Sequence, residues 1–253
     1  MITVGTQKDT SARAVEWAEK IPSGLWAAAG LHPTHLFDEE ISEEVEGEEV
    51  AYKTKAEEFD ADFYKNLCKS KRVVAIGEVG LDYWHQPKNV SAEVFRRKQM
   101  ETLEAIVAMA GEVDRPLILH VRPSSWETTD AYDDLYAILK SADWRGVLHC
   151  YTGNWETAKK FLDLGYYIGF TGVITFPPVK VAPILETVKN CPSDRILSET
   201  DAPYLSPVPY RGKRNEPAYV KYIVDKIAEL RGADPEKTAE QLLLNAKNLF
   251  GLK

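Results

Sequence analysis

Short apolar runs alternate with amphipathic stretches along most of the chain. The runs Ile2–Gly5, Leu25–Gly30, Val73–Glu78, Leu117–His120, Gly146–Cys150, Tyr167–Phe170 and Ile196–Glu199 have the length and near-continuous apolar character of strands buried on both faces. The segments between them repeat apolar residues with a helical period. Ser11–Lys20 offers Ala14, Val15, Trp17 and Ala18 as one stripe, and Ala92–Ala110 offers Phe95, Met100, Leu103, Ile106 and Val107. Thr128–Ser141, Trp155–Leu164 and Val181–Lys189 follow, and Pro217–Arg231 and Pro235–Phe250 close the chain, each with a proline suited to a first helical turn.

Repeated strand-then-helix order predicts an α/β fold with a parallel sheet. A doubly wound open sheet would carry a glycine-rich phosphate turn after its first strand, and Val4-Gly5-Thr6-Gln7 supplies none. Polar residues gather after many of the runs rather than at one switch point, which favours a TIM-like (β/α) barrel. The seven recognisable strands are one fewer than a closed barrel of this type holds. The expected gap is at the start, where Met1 opens almost directly into a strand, unless an eighth strand lies unrecognised elsewhere in the chain.

The length of 253 residues and the 44% hydrophobic fraction suit one domain spanning 1–253. No run approaches the ~18 apolar residues of a membrane span, and the first ten residues lack the basic-then-apolar pattern of a secretory signal. Cys68, Cys150 and Cys191 are odd in number and widely spaced, as expected of reduced thiols in a cytoplasmic protein. The net charge of −8 is unevenly spread. Asp38 to Asp62 holds twelve acids and two lysines, so the remainder of the chain is slightly positive. That stretch reads as an acidic insertion between two elements, and the rest is not basic enough for strong non-specific affinity for nucleic acid.

Four of the runs end in a residue able to bind metal: Glu78, His120, His149 and Asp201. A lone strand-end histidine is commonly a polar cap, and a lone strand-end acid commonly a turn former. The same placement on four strands points instead to a hydrolytic metal site, because strand ends of a barrel converge. His32, in the turn Gly30–His35, is placed to meet a substrate phosphate or a water. Arg122 lies two residues beyond His120, on the same side of an extended chain, where its fork of donors fits a phosphate. His85, in the loop after Tyr83 and Trp84, reads as surface. The loop Tyr204–Pro217 combines aromatics with Arg211, Lys213 and Arg214, a combination suited to stacking on bases and neutralising phosphates.

Together the segments GLHP, AIGEVGLDYW, PLILHVR, LHCYTGN, YIGFTGVITF and ILSETDAPYLSPVPYRGKRNEPAYV resemble the TatD family of metal-dependent deoxyribonucleases. The resemblance implies a TIM-like barrel, two divalent ions (Mg, Mn or Zn) and hydrolysis of DNA phosphodiesters by metal-activated water. It implies Glu78 as the bridging carboxylate, His120 and His149 as ligands of one ion, and Asp201 as ligand of the other and proton acceptor. His32, Arg122, Tyr204, Arg211 and Arg214 are the expected substrate contacts. The family's His-x-His pair on the first strand has no counterpart in this sequence, so one ion is expected to be held well and the second poorly, with lower activity. DNA is the expected partner, with no membrane and no obligate protein partner. An amidohydrolase-like enzyme on a small ester or amide, and an inactive barrel serving as a binding module, are the alternatives.

Overall fold

Every residue except 46–47 and 253 is described by the structure, a computed structural model. Its residue contacts gather into two units, Met1–Ile41 with Lys53–Gly146 and Ser42–Tyr52 with Val147–Lys253.

The first unit opens with β1 (Ile2–Val4), α1 (Lys8–Lys20) and β2 (Trp26–Ala29). Thr10 Oγ1 accepts from the Gln7 N–H at 3.0 Å, which satisfies a donor at the start of α1. Ser11, Ala14, Val15 and Ala18 form the buried face of α1. Trp17, which the apolar pattern places in that stripe, is instead 55% exposed, and the Lys20 ammonium lies 5.4 Å from its ring centre. The acidic stretch is not merely a solvated connector. It pairs as the two-stranded sheet of β3 (Glu39–Val45) and β4 (Glu48–Thr54), then enters α2 (Ala61–Leu67). Acidic residues are depleted in strands, so composition concealed this hairpin.

β5 (Val73–Asp82) is the central strand of the first unit. It is followed by α3 (Ala92–Glu112), β6 (Leu117–Arg122) and α4 (Asp130–Leu139). Four strands stand in the order β1-β2-β5-β6, all parallel. β5 was expected to end at Glu78 but runs four residues further, so Glu78 lies within the strand and Asp82 at its end. The extension pairs Gly80 with His120 and Asp82 with Arg122, and it buries Val79 and Leu81 completely. Gly80 permits this approach. Its φ is +148°, and a Cβ there would stand 1.9 Å from the His120 carbonyl oxygen. Buried Gln99 of α3 then clamps the strand end, its Nε2 donating to the Asp82 carbonyl at 2.8 Å and its Oε1 accepting from the Asp82 N–H at 2.7 Å.

In the second unit β7 (Gly146–Leu148), α5 (Trp155–Asp163), β8 (Tyr167–Phe170), α6 (Pro178–Asn190) and β9 (Ile196–Ser198) alternate. α7 (Val220–Arg231) and α8 (Pro235–Phe250) follow. β7-β8-β9 are parallel neighbours. Asn154 caps α5 by accepting from the Thr157 N–H at 2.9 Å. Fully buried Asn245 of α8 donates to the carbonyls of Ser193 and Ile196, both at 2.8 Å, and so fixes that helix to the start of β9. The expected seven parallel strands are thus present among the described residues, each followed by a helix, and the fold class is α/β in TIM-like order. Among the described residues, no helix is long and apolar enough to cross a membrane.

Candidate metal centre

Three side chains of the first unit converge as a donor set. His32 follows β2, Glu78 projects from β5 and His120 from β6. One ligand atom of each lies within 4.8 Å of the others. Glu78 Oε1 is 3.0 Å from His120 Nδ1 and 3.6 Å from His32 Nε2. The two imidazoles meet edge to face with centres 4.3 Å apart. Two nitrogens and a carboxylate oxygen, all partly buried, fit a divalent ion of the zinc or manganese type. His32, read from sequence as a substrate contact, is therefore the third member of this cluster.

Each histidine is held from behind. His32 Nδ1 accepts from the Thr34 backbone N–H at 3.3 Å and lies 2.7 Å from the Thr34 hydroxyl, which together fix its ring. On the far side of His120, Asp82 Oδ2 meets Nε2 at 3.0 Å. The Asp82 carboxylate is 1% exposed, takes the Trp84 and His85 N–H groups at 3.0 Å each, and pairs with His85 Nδ1 at 2.9 Å. His85 is thus not a surface residue. Burial alone would push the Asp82 carboxyl up, but hydrogen bonds from His120 and His85 hold it well below the usual carboxylate range. For His120, burial is outweighed by Asp82 and Glu78, and its pKa rises to about 9. For His32, burial and then the charge of His120 lower the pKa to about 3, which keeps it neutral. His35 Nδ1 is buried and has no hydrogen-bond partner among the described residues.

The second unit builds a separate arrangement around His149, just past β7. His149 Nδ1 pairs with Glu199 Oε2 at 2.5 Å, and Nε2 lies 3.4 Å from Asp201 Oδ1. The other oxygen of Glu199 accepts the Cys150 N–H at 2.6 Å. Gly169 leaves room for that carboxylate, because a Cβ there would stand 2.5 Å from Glu199 Oε1. Asp201 has φ +58°, a left-handed conformation in which aspartate is enriched. Burial, reinforced by the Asp201 charge, pushes the Cys150 thiol up to about 12, and its Sγ sits 3.2 Å from the Thr171 hydroxyl. A thiol so protonated is no nucleophile.

The structure therefore brings Glu78 and His120 together in one unit and His149 and Asp201 in the other. The partners that sequence reasoning passed over are Asp82 and Glu199. Both carried a signal, as a second acid a few residues from one already chosen, in GEVGLD and in SETD. Among the expected substrate contacts, Arg122 lies over the Trp84 ring at 5.1 Å and Arg211 over the Phe176 ring at 3.8 Å, while Arg214 is exposed. Tyr204 is half-buried, and its carbonyl accepts from Asn215 Nδ2 at 2.6 Å. Asn215 also donates to the Thr200 carbonyl at 2.7 Å and so folds this loop back on the strand end that carries Asp201.

A family model described as "TatD related DNase" matches residues 1–251. The chain is 38% identical over 255 residues to the uncharacterised metal-dependent hydrolase YabD of Bacillus subtilis (strain 168), which covers 99% of this chain and 86% of that protein. It is 33% identical over 264 residues to the "3'-5' ssDNA/RNA exonuclease TatD" of Pantoea ananatis (strain LMG 20103), covering 100% and 88%. Among solved structures, the TatD homologue YJJV of Escherichia coli K12 superposes with a TM-score of 0.80 at 27% identity, covering 100% of this chain and 86% of that one.

Proposed function

The chain belongs to the TatD-related DNase family of metal-dependent hydrolases, and from that premise we propose that it hydrolyses phosphodiester bonds of DNA. The observation that carries this reading is the His32–Glu78–His120 donor set, with Arg122 two residues beyond His120 on β6. The name of the Pantoea relative supports a nucleic-acid strand as substrate.

His32, Glu78 and His120 would hold a divalent ion. The family resemblance supports His149 and Asp201 as metal ligands in the second unit. A bound ion of this kind polarises a phosphoryl oxygen and acidifies a water molecule. The remaining roles fall to the chain. Asp82 and Thr34 fix the rings of His120 and His32, and Glu199 fixes that of His149. The Asp201 carboxylate, part-exposed beside His149 Nε2, takes the proton of the attacking water. Arg122 grips the phosphate with its planar fork. Tyr204, Arg211 and Arg214 hold the flanking nucleotides by stacking and charge.

The test is release of nucleotides from end-labelled DNA by the full chain with manganese or magnesium. Glu78→Gln and His149→Ala should each lower the rate by more than about a hundredfold, beyond the cost of losing an outer-shell partner. Activity that survives alanine at both positions overturns the mechanism. A metal-loaded chain that releases nothing from DNA overturns the substrate class.

A further inference from the structure

The metal cluster does not account for two tryptophans standing in water close to it. Trp84 is 41% exposed and Trp126 75% exposed, with ring centres 5.7 Å apart and planes inclined at 58°. The Arg122 guanidinium carbon lies 5.1 Å from the Trp84 ring centre. All three belong to the first unit.

Their placement is fixed relative to the donor set. The Trp84 N–H donates to one oxygen of Asp82 while the other oxygen meets His120 Nε2, both at 3.0 Å. Arg122 shares a face of β6 with His120. The loop carrying Trp126 is tied down by Asp130, which accepts from the Ser124 N–H at 3.1 Å, the Ser124 hydroxyl at 2.7 Å and the Thr128 hydroxyl at 3.1 Å. Asp130 is itself paired with Arg96 at 2.5 Å. Trp126 is therefore presented outwards by an ordered loop.

A lone exposed aromatic is ordinary. Two adjacent indoles with an arginine, beside a phosphodiester-cleaving site, have a specific chemistry. Bases stack on open indole faces whatever their sequence, and a guanidinium beside them takes the phosphate. We propose that Trp84 and Trp126 form a base-stacking platform that holds one or two unpaired bases of a single strand, with the connecting phosphate on Arg122. The proposal rests on the phosphodiesterase reading above and adds which side chains take the bases of the strand and which takes the phosphate between them.

The test compares a labelled oligothymidylate with an abasic strand of the same length, by fluorescence anisotropy on the full chain with metal chelated. The Trp126→Ala variant should bind oligothymidylate roughly 5- to 150-fold more weakly and the abasic strand within about twofold of the parent, and Trp126→Phe should recover most of the loss. Equal weakening on both strands, or no weakening on either, overturns the platform. Nucleotide release with manganese is measured in parallel. If the parent chain cleaves DNA while Trp126→Ala changes nothing, only the platform falls. If the parent neither binds nor cleaves either strand, the phosphodiesterase reading falls with it.

Discussion

Asp82→Asn is the substitution that most directly probes how the donor set is held. The carboxylate is buried and makes four contacts: the Trp84 and His85 N–H groups on Oδ1, and His85 Nδ1 and His120 Nε2 on Oδ2. The amide keeps the shape and one acceptor oxygen. That oxygen can retain the two backbone donors, which leaves an NH2 group facing the two imidazoles. His120 then loses the acceptor that fixes its tautomer and ring plane. Loss of such an outer-shell partner costs about 10- to 100-fold in metal affinity, or roughly 1.4–2.7 kcal/mol. The metal-free fold loses its charge-assisted bonds to His85 and His120 as well, at about 1.5–3 kcal/mol for a bond of that kind. The assay is calorimetric titration of manganese or zinc into metal-stripped protein at neutral pH, with circular dichroism to verify the fold and Glu78→Gln as comparison. Glu78→Gln removes a proposed ligand and should cost more than Asp82→Asn. Affinity within about twofold of the parent in a folded Asp82→Asn protein would refute the role given to this carboxylate.

Gly80→Ala forces a methyl group against the His120 carbonyl oxygen at a positive φ. It should destabilise the protein by about 3 kcal/mol or more in urea unfolding and weaken metal binding, since β6 must move. Asn245→Ala leaves the Ser193 and Ile196 carbonyls without their buried donor and should lower the unfolding free energy by about 2–4 kcal/mol without altering metal affinity. Burial pushes the Cys191 thiol up to about 12, so above about pH 9 the unfolded chain has lost a proton that the folded chain keeps. Stability should therefore fall by about 1.4 kcal/mol per pH unit from this group as pH rises beyond that point, and Cys191→Ala should flatten the slope seen in urea midpoints.

Much of the strand-and-helix order could be read from the sequence, because buried strands and amphipathic helices are written in short-range periodicity. The tryptophan in α1 shows the limit of that reading, since periodicity says which residues share a face and not how far the neighbouring element extends to cover it. The hairpin β3–β4 escaped because its acids conceal a strand pattern. The extension of β5 escaped because Gly80 looks like a terminator until β6 lies beside it.

The same division runs through the site. By itself the sequence determined the metal-capable residues Glu78, His120, His149 and Asp201, as polar positions at or just past the ends of apolar runs, together with the segments that place the chain in its family. Only the tertiary structure decided their company: His32 beside Glu78, Asp82 behind His120 and Glu199 behind His149. The physical reason is register. Asp82 and His120 meet because the pairing of Gly80 with His120 sets two strands, 38 residues apart in sequence at the contact, at one relative height. No local pattern encodes that height, which follows from packing across the whole sheet.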